Sequence, residues 1–126
     1  MSLERKRPEI EFPEGQPPTA LAVTDEIVGD GPEASSGTTV TAHYVGVAFS
    51  TGEEFDASWN RGEPLRFQLG VGQVIPGWDQ GISGMRVGGR RRLVIPPALA
   101  YGKRGAGGTI GPNETLIFVV DLVDAQ

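Results

Sequence analysis

Only one stretch of this chain carries both a start and a stop signal for a helix, and it is short. Pro76 suits a first helical position, where its preset φ helps and its missing N–H costs nothing, and Gly84 suits the place just past a helix end. The two turns between them put Trp78 and Ile82 four residues apart on one face. A helix of that length is marginal alone in water. An apolar surface must surround it, and that surface is either a closed core or the wall of a pocket.

The remaining regular segments read as β-strands. Leu21 to Val28 is a first strand, ended by Gly29-Asp30-Gly31-Pro32, a strong turn signal. Thr39 to Phe49 is the longest β-like run, with Val40, Ala42 and Tyr44 of one parity and assigned inward. Ser50-Thr51-Gly52-Glu53 forms a hairpin turn into Glu54-Phe55-Asp56, and Pro64 to Leu69 is a short strand before the helix at 76–83. Arg92 to Ile95 is β again and stops at Pro96-Pro97, because Pro cannot donate into a ladder. A Gly-rich loop fills 102–112. Thr115 to Val123 closes the fold, with Leu116, Phe118, Val120 and Leu122 on one face. Five to six strands, one short helix and no βαβ spacing predict an α+β fold in which an antiparallel sheet wraps a helix.

With 126 residues the chain suits one domain, expected over 20–126, after a flexible N-terminal arm at 1–19 that is rich in Glu, Arg and Pro. Nineteen Gly and ten Pro imply many turns, and their spacing between apolar runs argues against disorder. The absence of Cys removes disulfides and thiolate chemistry, and suits a reducing, cytoplasmic setting. One His leaves little material for a zinc site or a Ser-His-Asp triad, so neither metal nor cofactor is expected. A net charge of −5 disfavours nucleic acid and anionic membranes as partners. No apolar core follows the charged start Met1 to Pro8, so no secretory segment is read there, and Asn113-Glu114-Thr115 is a sequon without a secretory context.

Several motifs fail on inspection. Gly70-Val71-Gly72 follows a strand and precedes a helix, but the third Gly of a dinucleotide fingerprint is missing. Gly81-Ile82-Ser83-Gly84 is not a nucleophile elbow. His43 is expected at a surface or edge. The Arg90-Arg91-Arg92 run, with Arg86 nearby, reads first as a solvated strand edge and second as a docking patch for an acidic partner. Arg91 shares parity with Leu93 and Ile95, so its charge must escape at the rim or the strand must start after it. Asp56, between Phe55 and Trp59, is either a turn cap or a hydrogen-bonded member of an apolar site. Of nine aromatics, Tyr44, Phe55, Phe67, Trp78, Tyr101 and Phe118 fall on inward strand sites, the helix face or a loop edge. A core rarely wants two tyrosine hydroxyls and an Asp among apolar walls, whereas a ligand pocket does.

Longer motifs sharpen this. V-T-A-H-Y-V-G at 40–46, F-D at 55–56, L-G-V-G-Q-V-I-P-G-W-D-Q-G-I-S-G-M at 69–85, V-G-G-R-R-R-L-V-I-P-P at 87–97, A-Y-G at 100–102 and T-L-I-F-V-V-D-L-V at 115–123 together resemble the FKBP family. These are the macrolide-binding immunophilins, peptidyl-prolyl cis-trans isomerases. The resemblance runs from about Val23 to Val123 and implies a five- to six-stranded antiparallel sheet half-wrapped around one short helix. It implies Trp78 as the floor of a proline pocket, Tyr44, Phe55 and Phe118 as walls, and Val74 and Ile75 at the rim. It also implies Phe67 and Ile110 as substrate contacts, the Ile75 N–H and Tyr101 hydroxyl as donors to carbonyls, and Asp56 as the carboxylate ordering the pocket. The partners implied are proline-containing peptides, unfolded or partly folded proteins, and macrolide inhibitors such as tacrolimus, met by a monomer. Three positions depart from the family pattern: Ala106 stands where His is frequent, Leu65 where an aromatic is common, and Thr109 where Ile is frequent. A non-catalytic binding module that keeps the pocket and docks a partner through loop 102–112 is the alternative, and turnover separates the two.

Overall fold

The computed structural model describes residues 7–11 and 15–126. Six strands form one antiparallel sheet: β1 (Ala22–Ile27), β2 (Thr39–Ala48), β3 (Glu54–Ala57), β4 (Leu65–Gln68), β5 (Arg90–Ile95) and β6 (Leu116–Ala125). Their order is β1-β5-β6-β2-β3, and β4 also pairs with β2. One long strand thus holds two short ones along the same edge, β4 on Thr39 to Ala42 and β3 on Val45 to Val47. The expected turn at 50–53 is present, with Ala48 N–H donating to the Glu53 carbonyl at 2.9 Å.

Two helices, not one, accompany the sheet. The unexpected α1 (Ser58–Arg61) interrupts the edge between β3 and β4 and ends at Gly62, whose φ of 72° is left-handed backbone. The expected helix is α2 (Pro76–Gly81), with Pro at its first turn. It is shorter than the predicted 76–83: Ile82 caps it in right-handed geometry, and the left-handed residue, Gly84 with φ 91°, comes two positions later. A single turn of 3-10 helix, Pro97–Leu99, follows β5.

Two glycines let α2 lie against β5. A Cβ on Gly77 would stand 2.4 Å from Ile95 Cγ2, and one on Gly81 would stand 2.7 Å from Leu93 Cδ2. That close approach turns Trp78 and Ile82 into the core with Val40, Ala42, Tyr44, Leu93, Phe118 and Val120. The inward parity expected for β2 and β6 is therefore correct.

The opposite face of the sheet is also dry, which alternation on one face did not predict. Val45, Val47, Ile117 and Val119 are at most 5% exposed. Residues 7–10 lie beside Val45 and Val47, and Pro8 is buried. Arg7 donates to Asn60 Oδ1 at 2.6 Å and pairs with Glu54. Of the rest of the expected arm, residues 1–6 and 12–14 lie outside the described residues.

The arginine run is not a solvated edge. β5 is an inner strand, between β1 and β6. Arg90 makes a two-pronged contact with Asp121, at 2.7 and 3.2 Å, and Asp121 is fully buried. The strand begins before Arg91, not after it, because that guanidinium is satisfied in place. It holds Asp25 on β1 at 2.7 and 3.3 Å and the carbonyls of Gly81 and Ser83, at 2.9 and 3.1 Å. A cation on the last carbonyls of a helix is favourable, and here it joins α2 to the outermost strand. Of the four arginines of the expected docking patch, Arg90 and Arg91 are thus spent on acids within the fold.

His43 is likewise no edge residue. It is half-buried on β2, its ring stacks on Trp59 at 4.3 Å, and Nδ1 lies 2.8 Å from the buried Ser58 hydroxyl. Burial pushes its pKa down, against the opposing pull of the Asp121 charge.

Candidate functional site

An open cleft of about 190 Å³ lies where α2, β2, β3, β6 and the segment after the 3-10 turn converge. Trp78 forms part of its lining at only 4% exposure, so the indole is both packed and reached by the opening. Around it the rings meet edge to face, the arrangement that aromatic quadrupoles favour. Tyr44 is 4.9 Å from Trp78 at 78°, and Phe118 is 5.2 Å from it at 87°. Phe55 stands at 90° to Phe118, 5.5 Å away. The Trp78 Nε1 is buried without a hydrogen-bond partner among the described residues, as is that of Trp59.

Local structure places each wall. Tyr44 and Phe118 come from neighbouring strands, and Gly46 lies between Asp56 and Phe118 in the cross-strand register. Lacking a side chain, Gly46 leaves room for both Phe55 and Phe118 above it. Val74 and Ile75 line the cleft ahead of α2, and the Ile75 carbonyl accepts the first helical bond from Trp78 N–H at 2.9 Å. Tyr101 stands at the lip, 41% exposed.

One polar triangle sits among these apolar walls. The Tyr44 hydroxyl donates to Asp56 Oδ2 at 2.6 Å, and Arg61 donates both to Asp56 Oδ1 at 2.8 Å and to the Tyr44 oxygen at 2.9 Å. Burial pushes the Asp56 pKa up, but the hydrogen bonds from Tyr44 and Arg61, with the Arg61 charge, outweigh it and hold the carboxyl below its usual range. Burial and the bond to Asp56 raise the Tyr44 hydroxyl above the ordinary phenol value. Asp56 is thus an ionised, oriented member of the cleft and not a turn cap.

Eight of the ten predicted site residues line this cleft: Tyr44, Phe55, Asp56, Val74, Ile75, Trp78, Tyr101 and Phe118. The other two do not. Phe67 is buried, tilted against Trp78 with centroids 5.6 Å apart, and backs the indole. Ile110 is buried in the core, where its N–H and carbonyl bond to Ala106 across the loop. Leu65 and Gln73 line the cleft without having been assigned a role. Arg61 was missed altogether; its only signal is its place five residues past Asp56, on a helix that was itself unexpected. Among the described residues no group of His, Cys, Asp or Glu could hold a metal ion.

Comparison with known proteins gives a consistent result. The family model for FKBP-type peptidyl-prolyl cis-trans isomerase matches residues 31–123. The chain is 69% identical over 124 residues to an FK506-binding protein of Streptomyces anulatus, covering 98% of each. It is 51% identical to a probable FK506-binding protein of Corynebacterium glutamicum, over 95% of this chain and 99% of the other. Among solved structures, the crystal structure of AtFKBP13 superposes with a TM-score of 0.79 at 47% identity, covering 87% of this chain and 96% of that one.

Proposed function

The chain belongs to the FKBP-type peptidyl-prolyl cis-trans isomerases, and from that premise we propose that its cleft accelerates rotation about X-Pro bonds of peptides and slow-folding proteins. The observation that carries the reading is the indole of Trp78 at the base of an aromatic cleft open to solvent.

Rotation about an X-Pro bond must overcome ~18–20 kcal/mol and takes tens to hundreds of seconds unaided. The barrier comes from donation of the nitrogen lone pair into the carbonyl, which flattens the bond and separates charge. The twisted transition state has lost that donation and is less polar. Aromatic walls therefore favour the twisted bond over the flat one, while fixed donors hold the flanking carbonyls. The Tyr101 hydroxyl and the Ile75 N–H are suited to that task. Asp56 and Arg61 hold Tyr44 upright, so the wall keeps its place as the ring turns. No proton moves and no covalent bond forms, so a chain with no Cys and one His lacks nothing it needs. A rate gain of ~10⁶ requires about 8 kcal/mol of preferential transition-state stabilisation.

The cleft's volume, about 190 Å³, falls below the ~300–1,000 Å³ of drug-sized sites, so it suits one ring and its flanking carbonyls. A macrolide such as tacrolimus would seat its ring there and lie across the rim formed by Val74, Ile75 and Tyr101. The names of the bacterial relatives support this reading. The absence of Cys supports a cytoplasmic setting. The test is cis-trans exchange measured by NMR on a short Leu-Pro or Phe-Pro peptide, with and without tacrolimus. Catalysed exchange that tacrolimus suppresses is expected; binding of the peptide without faster exchange would leave only a binding module.

A further inference from the structure

We propose that the cleft continues past Phe55 into a second groove that takes a lysine or arginine side chain of the substrate, with Glu53 as its pairing carboxylate. This rests on the isomerase reading and names the substrates it prefers. The groove encloses about 220 Å³ between the hairpin, through Thr51, Glu53 and Glu54, and the loop tip, through Gly108 and Thr109. Phe55 borders it on one side and the aromatic cleft on the other. From Trp78 to Phe118 to Phe55 the ring centroids step 5.2 and then 5.5 Å, a span that about three extended residues cover. A peptide with its proline over Trp78 therefore brings a neighbouring side chain to this groove.

Both banks are fixed. Ala106 and Ile110 exchange backbone hydrogen bonds of 2.9 and 3.1 Å, which holds the loop tip, and a Cβ on Gly108 would meet nothing. On the hairpin, Glu53 N–H donates to Thr51 Oγ1 at 3.1 Å and the Glu53 carbonyl accepts from Ala48. Glu54 already receives the Arg7 guanidinium and the Asn60 amide, so this hairpin seats a cation from the chain itself. The Glu53 carboxylate has no such partner among the described residues, and the loop's own cations, Lys103 and Arg104, do not line the groove. A solvent-facing carboxylate beside a cationic side chain shifts an equilibrium by up to about fivefold, and salt weakens it.

The experiment compares two families of Leu-Pro peptides, carrying Lys or Glu at each position within three residues of the proline. Exchange rates and NMR-titrated affinities are measured for wild type, Glu53→Gln and Glu53→Lys at low and high salt. The ratio within one variant is independent of how much of it folds. The expected result is a preference of about threefold to fivefold for Lys over Glu at one position. It should vanish in Glu53→Gln, invert in Glu53→Lys and fade in high salt. Turnover of both families at equal rates overturns the groove and leaves the isomerase standing. A Glu53-dependent Lys preference in affinity without turnover keeps the groove and overturns the catalysis; neither turnover nor binding overturns both.

Discussion

Gly46→Ala adds one methyl group and should cost the enzyme its pocket. The strand backbone is not the obstacle, because Gly46 has no left-handed φ. On strand propensity alone the change would gain about 0.5–1 kcal/mol, the entropy that Gly wastes inside a strand. Space decides otherwise. A Cβ there would lie 2.7 Å from both Phe55 Cζ and Phe118 Cε1, and 3.0 Å from Phe118 Cδ1. Ordinary contact begins near 3.4 Å, so each ring must retreat by several tenths of an ångström. Phe118 is boxed by Trp78 at 5.2 Å and Tyr44 at 6.1 Å, so Phe55, which is only half-buried, moves further. Overpacking of this kind costs about 1–3 kcal/mol, which exceeds the propensity gain. The net loss, up to about 2.5 kcal/mol, should appear as a lower urea midpoint. Displaced walls should lower kcat/KM by about tenfold or more in the exchange assay, since misplacement by an ångström can cost a hundredfold. Adding Phe55→Leu to Gly46→Ala should recover stability by relieving one clash, without recovering activity. An unchanged midpoint and an unchanged kcat/KM in the single variant would refute the account of the walls.

Trp78→Leu keeps an apolar side chain but removes the arene, so kcat/KM on a Leu-Pro peptide, measured on the folded protein, should fall by about tenfold or more, beyond the loss of stability that a smaller side chain brings at this buried site. Tyr101→Phe, at the exposed lip, should leave the melting curve within about 0.5 kcal/mol of wild type yet slow exchange; equal rates in both variants would remove these roles. Tyr44→Phe deletes a donor to Asp56, whose folded pKa lies below its unfolded one. The stability such a carboxylate contributes is present above the unfolded pKa and lost as pH falls through the folded one. In Tyr44→Phe the Asp56 carboxyl signal should titrate at higher pH, and the acid-side loss of stability that Asp56 contributes should shrink and be complete at a higher pH. An unmoved titration would break the triangle. Arg90→Met takes the two-pronged partner from the buried Asp121 and should cost about 3 kcal/mol in urea unfolding, with Arg90→Met/Asp121→Leu recovering most of it. A single variant as stable as wild type would show that the pair contributes nothing.

The elements that the sequence shows best are those with one dominant local signal. Alternation on Val40, Ala42 and Tyr44 and again on Leu116 to Leu122 marks the inner face of two long strands. Pro76 marks the start of α2 and Pro96-Pro97 the end of β5. What escaped depends on partners distant along the chain. Ser58 to Arg61 is too short for periodicity to show, so α1 and the guanidinium it aims at Asp56 stayed hidden. Val45 and Val47 occupy the parity that a one-sided sheet gives to water, but residues 7–10, far back along the chain, lie beside them. Arg90 and Arg91 read as exposed because their acids, Asp121 and Asp25, lie 31 and 66 residues away. Phe67 and Ile110 share the pocket's chemistry, but Phe67 backs the indole and Ile110 is buried in the core. No single-chain pattern separates a wall from its backing.

The contact of Arg91 has a practical corollary. The match to the family model begins at residue 31, yet Asp25, which grips that guanidinium, precedes it. Trimming the protein to residues 31–123 would strip the outermost ribbon from the sheet and slacken the tether on the far end of the Trp78 helix. The smallest fragment that keeps the tryptophan seat rigid therefore starts no later than Ala22.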